Sequence, residues 1–127
     1  WHKESTIKFN FQIKDTSARY NTYIKVRLND KYMFNNIFVI TALENAEGLL
    51  LIDTLEYPMA SNEGELIGRK FINIVENKLL HKENFVLVKD VEYQLSIKHA
   101  MRLINIEEGL ESLEGILDIG YSVEKRK

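Results

Sequence analysis

The sequence predicts an all-β fold: an antiparallel β-sandwich, of jelly-roll or immunoglobulin-like type, with about eight strands. Two observations favour this class. Apolar and polar residues alternate with a period of two over several stretches, as in strands that bury one face. Turn-forming residues separate these stretches at the short intervals typical of a sandwich or barrel. Because the 127 residues contain one proline and no repeat or linker-like segment, we expect a single domain over residues 1–127.

The first half of the chain contains four predicted strands. Residues 6–13 and 20–28 alternate apolar with polar side chains, so one face of each is expected in the core. Residues 37–43 are apolar on both faces, which is typical of a strand in the centre of a sheet. Residues 49–57 form a long strand that ends at Pro58, because proline has no N–H to donate to a neighbouring strand. Turns are predicted at Asp15-Thr16-Ser17, Asn29-Asp30-Lys31, Asn35-Asn36 and Asn45-Ala46-Glu47-Gly48.

The second half of the chain is less regular. Residues 63–82 fit both the helical and the strand spacing of apolar residues, and their β-branched content favours a strand at 70–76. A short strand is predicted at residues 84–89, and a long strand is predicted at residues 91–104. The last predicted strand covers residues 113–125 and closes the domain. The acidic segment Glu107 to Glu114 lacks the ligand spacing of a calcium loop, so we expect a solvated hairpin loop there.

Composition excludes several classes of function. The formal net charge of −2 argues against duplex nucleic acid as a partner. The absence of cysteine excludes disulfides, zinc-thiolate sites and thiol nucleophiles within these residues. No catalytic motif is present, and the histidines His2, His81 and His99 lack the spacing of a compact metal site. We therefore expect no catalytic residue, no metal site and no cofactor.

One histidine lies in the middle of a predicted strand. Alternation places His99 on the core-facing side, together with Tyr93 and Met101, and Arg102 on the opposite side. We expect His99 to be a core residue whose ring nitrogens bond to a backbone carbonyl or a tyrosine hydroxyl. A hydrolase site built from His99 and scattered carboxylates is the disfavoured alternative.

Two sets of side chains are candidates for binding. The first is an interaction surface formed by Arg27, Tyr32 and Arg102, because exposed arginine and tyrosine favour partner contacts. The simpler alternative for both arginines is a surface role or an ion pair with a neighbouring strand. The second is a glycan-stacking platform of exposed aromatic rings at Tyr23, Tyr32 and Phe34. Packing in the core or between strands is the simpler alternative for these rings.

Two blocks of sequence resemble the GldH-type gliding motility lipoproteins. The first comprises Trp1-His2-Lys3, Phe9-Asn10-Phe11 with Asp15-Thr16, Tyr23-Ile24-Lys25-Val26-Arg27, Tyr32 and Asn36. The second comprises Tyr93, Ile97, His99, Met101-Arg102 and Leu113-Glu114-Gly115-Ile116-Leu117-Asp118-Ile119-Gly120. The middle of the chain departs from the family, whose glycine- and tryptophan-rich segment is reduced here to Gly64 and Gly68 without tryptophan.

The resemblance implies a cell-envelope lipoprotein of the Bacteroidetes. It implies a signal peptide and a lipidated cysteine upstream of Trp1, a position facing the periplasm, and no catalytic activity. The implied partners are other proteins of the gliding or secretion machinery, and the membrane through the lipid anchor. Within the chain it marks Tyr93, His99 and Met101 as a structural signature. The alternative function is that of a glycan-binding accessory β-sandwich domain.

Overall fold

A computed structural model describes residues 1–14, 18–101 and 112–126 of the chain. These ranges form eight antiparallel strands in two four-stranded sheets, which confirms the predicted all-β sandwich. The strands are β1 (Ile7–Phe11), β2 (Tyr20–Leu28), β3 (Asn36–Asn45), β4 (Gly48–Pro58), β5 (Arg69–Phe71), β6 (Ile74–Phe85), β7 (Tyr93–His99) and β8 (Ile116–Lys125). None of the described residues is helical, and so none of them forms a helix able to cross a membrane.

The central strands are β7 and β3 in the first sheet and β6 and β2 in the second. The first sheet has the order β1-β7-β3-β4 and the second has the order β5-β6-β2-β8. β3 pairs with β4 on one side and with β7 on the other, which explains why residues 37–43 are apolar on both faces. β2 holds the corresponding central position in the second sheet, between β6 and β8.

The core lies between the inner faces of the two sheets. Along β2 the side chains alternate strictly, with Ile24, Val26 and Leu28 buried and Lys25 and Arg27 exposed, as the sequence pattern predicts. Both sheets contribute to one cluster of buried apolar side chains. Full burial of each large aliphatic side chain contributes roughly 1.5–3 kcal/mol to stability, so this cluster is the main source of the fold's stability.

Two of the strand predictions for the second half of the chain are wrong. The strand expected at 70–76 is interrupted, because β5 ends at Phe71 and β6 begins at Ile74. Ile72 and Asn73 form the turn between them, and Asn73 adopts a positive φ of 63°, which asparagine tolerates better than most residues. The strand expected at 84–89 is also absent, since β6 extends to Phe85 and residues 86–89 lie outside any strand.

Other predicted elements lie partly or wholly outside the described residues. β7 covers Tyr93–His99, so residues 91–92 and 100–101 of the strand predicted at 91–104 are not in a strand, and residues 102–104 lie outside the described range. The turn at residues 15–17 and the acidic segment as far as residue 111 also lie outside it.

Strand direction and register define two ends of the sandwich. One end, called here the Trp1 end, holds the start of the chain, the β2–β3 loop (residues 29–35), the β4–β5 connection (residues 59–68), the β5–β6 turn and residues 112–115. The opposite end holds the β3–β4 turn and the β6–β7 connection (residues 86–92).

A glycine joins two segments at the Trp1 end. Gly115 precedes β8 with φ of 89°, and a Cβ placed on it would lie 2.3 Å from the backbone nitrogen of Tyr32. Asn29 also donates its backbone N–H to the carbonyl of Gly115, at 2.9 Å. The β2–β3 loop can therefore pack directly on the start of β8 only because residue 115 has no side chain.

The start of the chain is held at the same end. The amino nitrogen of Trp1 donates to the carbonyl of Leu113 at 2.9 Å, and the N–H of Leu113 donates to the carbonyl of Trp1 at 2.8 Å. His2 forms an isolated antiparallel bridge with Ser112. The chain thus pairs first with the residues that lead into β8 and only then enters β1.

Candidate functional surface and buried polar network

The three residues predicted to form an interaction surface do not lie together. Arg27 is exposed on the outer face of β2, as expected. Tyr32 is only 5% exposed, so its assignment to the surface is wrong. The reason is that the β2–β3 loop folds back on Gly115, and the Tyr32 hydroxyl donates to the carbonyl of Asn36. Burial raises the pKa of Tyr32 well above its ordinary value. Arg102 lies outside the described residues.

The predicted aromatic platform for glycans is not assembled either. Tyr23 lies on the outer face of the second sheet, where the Nζ atom of Lys78 sits 4.4 Å from its ring centroid. Tyr32 is buried at the Trp1 end, and Phe34 packs edge-on against it with ring centroids 5.9 Å apart. The three rings therefore do not offer one flat surface on which a sugar could stack.

The outer face of the second sheet carries an ordered set of charges around Arg27. This surface, called the Arg27 face, is formed by the outward residues of β6, β2 and β8: Tyr23, Lys25, Arg27, Glu76, Lys78, Asp118, Gly120, Ser122 and Glu124. Arg27 lies in register between Asp118 and Glu76. Its guanidinium group is 3.3 Å from Asp118 Oδ2 and 3.7 Å from Glu76 Oε2.

A depression of about 390 Å³ lies beside this row of charges, where Gly120 leaves β8 without a side chain. Lys25 stands opposite Gly120 on β2 and forms no ion pair with any residue that the structure describes. Its neighbour Lys78 reaches Glu124 instead, at 2.6 Å, and that hydrogen bond lowers the pKa of the Glu124 carboxyl. Lys25 is therefore an exposed cation at the rim of a surface depression, and its charge also contributes to the lowered pKa of Glu124.

The charges of the Arg27 face contribute little to the stability of the fold. Exposed ion pairs contribute only about 0–1 kcal/mol each to stability, so these charges do little to hold the fold. Charges arranged on a rigid surface do favour complementary partners and exclude others. Three paired strands fix the spacing of the charges, which makes this face suitable for protein recognition.

A second arrangement of polar side chains lies inside the sandwich and centres on His81. The ring Nδ1 is 3.1 Å from the Thr22 hydroxyl and 2.9 Å from the Tyr121 hydroxyl, and Nε2 is 3.2 Å from the Thr41 hydroxyl. Thr41 belongs to the first sheet and the other three residues to the second, so the imidazole connects the two sheets. His81 reaches this position at an irregularity in the β2–β6 pairing, where Thr22 faces Lys82 and Tyr23 faces Leu80.

The hydroxyl partners of His81 satisfy a neutral imidazole. Both ring nitrogens lie within hydrogen-bonding distance of hydroxyl groups, Nδ1 of Thr22 and Tyr121 and Nε2 of Thr41, and a hydroxyl can donate or accept. Burial raises the pKa of Tyr121 to about 12, so its hydroxyl is uncharged at pH 7. Burial, with a smaller effect from Lys82, lowers the pKa of His81 to about 4, so the imidazole is neutral at pH 7.

The His81 network has a structural role. A histidine beside a hydroxyl could in principle activate it, but Thr22 and Thr41 are 0% and 1% exposed, so no substrate reaches either group in the folded protein. Further bonds join the same two sheets, since Lys82 of β6 in the second sheet pairs with Asp53 of β4 in the first at 2.9 Å. The Tyr57 hydroxyl of β4 donates to the carbonyl of Leu80 in β6 at 2.7 Å.

The sequence patterns did not predict this network, although the position of Thr22 indicated part of it. Alternation placed Thr22 on the core face of its strand, where an apolar residue would be the simpler choice. His81 lay in the segment that fitted helix and strand equally well, so its direction could not be assigned. A threonine that faces the core needs a hydrogen-bond partner for its hydroxyl. It therefore predicts a buried polar residue on a neighbouring strand or on the facing sheet.

His99 lies on the core face of β7 and is 3% exposed. Its Nδ1 accepts a hydrogen bond from the backbone N–H of Met101 at 3.3 Å, which differs from the predicted carbonyl or tyrosine hydroxyl. The Trp1 ring packs edge-on against the imidazole, with centroids 5.4 Å apart. Burial lowers the pKa of His99, and the nearby backbone of Trp1 opposes this effect.

We expect His99→Ala to lower the free energy of unfolding by about 1–3 kcal/mol, because the N–H of Met101 loses its acceptor in a buried place. Urea denaturation at pH 7 measures this change. The matched control is Lys98→Ala, which removes an exposed side chain from the same strand and should change stability by less than about 0.5 kcal/mol. Equal stability of the two variants would contradict the structural role of His99.

Among the described residues, no group of three or more histidine, aspartate or glutamate side chains is arranged to hold a metal ion.

The chain is similar to proteins of one kind along almost its whole length. A family model described as GldH lipoprotein matches residues 1–123. The chain is 41% identical over 126 residues to "Gliding motility lipoprotein GldH" of Flavobacterium johnsoniae, a match that covers 99% of this chain and 78% of that protein. It is 38% identical over 125 residues to "Gliding motility lipoprotein GldH homolog" of Christiangramia forsetii, with 98% and 77% covered. No solved structure matches the chain.

Proposed function

The chain belongs to the GldH lipoprotein family, and from that premise we propose that it is a non-enzymatic part of the gliding apparatus that binds other envelope proteins through the Arg27 face. The match to both relatives along nearly the whole chain is the observation that carries this proposal, and it confirms the family resemblance. The lipid anchor lies upstream of Trp1, and residues 1–127 form one domain that faces the periplasm.

Two features support action through protein contacts rather than catalysis. The hydroxyl and imidazole groups that could do chemistry are enclosed between the sheets. The Arg27 face presents both signs of charge on a rigid surface, beside a depression and an exposed cation at Lys25. The glycan-binding alternative is not retained, because burial of Tyr32 removes the central ring of its platform.

The proposal is tested by cross-linking the full-length lipidated protein in its native envelope and identifying the captured proteins by mass spectrometry. The natural chain should capture proteins of the gliding or secretion machinery. The double variant Lys25→Glu with Arg27→Gln should capture them at least about tenfold less well, because interface charges that lose their complement weaken binding.

The control variant is Lys98→Glu, which changes an exposed charge on the outer face of the other sheet. It should capture the same proteins as the natural chain. Undiminished capture by the Lys25/Arg27 variant would contradict the role of the Arg27 face. Capture of no machinery protein by the natural chain would contradict the proposed function as a whole.

A further inference from the structure

We propose that the Trp1 end of the sandwich rests on the phospholipid bilayer that holds the lipid anchor, with Ile72, Phe71 and Met33 inserted among the lipids. This inference rests on the proposed anchor upstream of Trp1. It adds a defined orientation of the domain on the membrane and names the side chains that contact it.

The most exposed large apolar side chains of the described chain lie at this end. Ile72 is 90% exposed and Met33 is 81% exposed, and no other large apolar residue in the described ranges exceeds 61%. Phe71, beside Ile72, is 48% exposed. Isolated exposed apolar residues are ordinary on a protein surface, but side chains presented almost completely to solvent at one end of a domain indicate a surface that is covered in the working state.

The β5–β6 turn is built so that Ile72 points away from the sandwich. Phe71 and Ile74 pair across the turn, so only Ile72 and Asn73 lie beyond the last pair of strand residues. The positive φ of Asn73 closes the turn in two residues, which leaves no neighbouring side chain to cover Ile72. This isoleucine contributes little to the core, because 90% of its surface is exposed.

The residues that flank the tip suit the headgroup region of a bilayer. Arg69 lies over the Phe71 ring, with its guanidinium carbon 5.2 Å from the ring centroid, and Lys70 pairs with Glu65 on the surface. Apolar side chains beside cations also occur in the amphipathic helices that lie at the membrane interface. The apolar side chains enter the acyl boundary there, and the cations stay with the lipid phosphates.

The path of the chain places the anchor at the same end. Trp1 pairs with Leu113 in antiparallel direction, so residues upstream of Trp1 continue towards Glu114, Gly115 and the β2–β3 loop that carries Met33. Both relatives are longer than the part that matches, since the matches cover 78% and 77% of them. A tether that leaves the domain beside Met33 brings this end to the membrane first.

The opposite end provides an internal comparison. Leu49, Val86 and Val88 are exposed there, by 57%, 53% and 54%, and are therefore each partly covered by the protein itself. They lie at the end of the sandwich opposite Trp1. A short tether upstream of Trp1 does not bring that end to the bilayer. Labels at the two ends should report different surroundings if the domain has one orientation.

The experiment uses the full-length lipidated protein in vesicles of phosphatidylethanolamine and phosphatidylglycerol. Because residues 1–127 contain no cysteine and the anchor cysteine is blocked by its lipid, Ile72→Cys and Met33→Cys each provide one site for an environment-sensitive fluorophore. We expect the emission at both sites to shift to the blue on reconstitution. Spin-labelled lipids should quench these two sites several-fold more strongly than a label on Val88→Cys.

Each other outcome overturns the proposal in a recognisable way. If the protein floats with the vesicles but the label at 72 behaves like that at 88, the domain does not rest on this end, although the anchor stands. If the label at 72 is exposed in vesicles and protected only in native membranes with their proteins, the occupant is a protein rather than lipid. If the protein does not float, the anchor itself is absent and the proposed function fails with the inference.

Discussion

Gly115→Ala is expected to lower the free energy of unfolding by about 3 kcal/mol or more. The added Cβ would lie 2.3 Å from the Tyr32 nitrogen and 2.7 Å from its Cα, both of which are backbone atoms that cannot rotate away. The positive φ of 89° adds strain for any residue other than glycine. The loop must therefore separate from β8, which exposes Tyr32 and breaks the bond from Asn29.

Alanine substitutions at two other glycines separate the steric clash from the cost of the positive φ. Urea denaturation of all three variants measures the free energy of unfolding. Gly48 has a positive φ of 129° but no atom within 4 Å of a built Cβ, so Gly48→Ala should show only the conformational cost, about 1–3 kcal/mol. Gly120 has neither problem, and its nearest contact would be 3.6 Å from Lys25, so Gly120→Ala should be close to neutral. A Gly115→Ala variant no less stable than Gly48→Ala would show that the loop does not pack on β8 as described.

Acidification from pH 7 to pH 4 is expected to remove about 3 kcal/mol of stability through His81 alone. The pKa of this imidazole is about 4 in the folded protein, against 6.5 when unfolded, so the unfolded chain binds its proton first. The stabilisation is complete above pH 6.5 and is lost progressively as the pH falls towards 4. The charged groups near the ring are Lys82, which opposes protonation, and Asp53, which favours it less strongly.

Denaturant titrations at several pH values measure this dependence, and His81→Gln is the variant that isolates it. Glutamine cannot take up a proton, so the variant should be less stable at pH 7 but should lose much less stability between pH 6.5 and 5. His99 contributes in the same direction, because burial lowers its pKa too. The pKa values of the Glu65 and Glu124 carboxyls are lowered from 4.5, so the stability that they contribute is lost only as the pH falls below that value. They do not affect the comparison between pH 6.5 and 5. An unchanged slope in His81→Gln would contradict a neutral, buried imidazole.

The sequence predicted well those strands whose pattern is set locally. Residues 20–28 were predicted as a strand with the bounds that β2 has, and β3 and β4 extend the predicted ranges by one or two residues at their ends. In β2 and β3 the core face is apolar apart from one threonine, so the period of two is clear, and Pro58 marks the end of β4. The β5–β6 hairpin was missed because β-branched residues continue through the turn, and asparagine alone marks the reversal at residue 73.

The candidate sites depended on contacts that local patterns do not encode. Tyr32 sits among polar loop residues, which suggests exposure, but its burial is caused by Gly115, more than 80 residues away in sequence. The irregular β2–β6 pairing that turns His81 inward is likewise a property of two strands together. The two sequence blocks that carry the family resemblance are brought together in space, since Trp1 pairs with Leu113 and β1 pairs with β7.

The pairing of Trp1 with Leu113 has a mechanical consequence if the chain is tethered upstream of Trp1, as proposed above. Tension on a tether upstream of Trp1 is taken first by the two hydrogen bonds to Leu113, which leads directly into β8 of the second sheet. The chain then enters β1 of the first sheet, where five residues pair with β7. The start of the chain is therefore held by hydrogen bonds to segments of both sheets, and a pull on it acts on both.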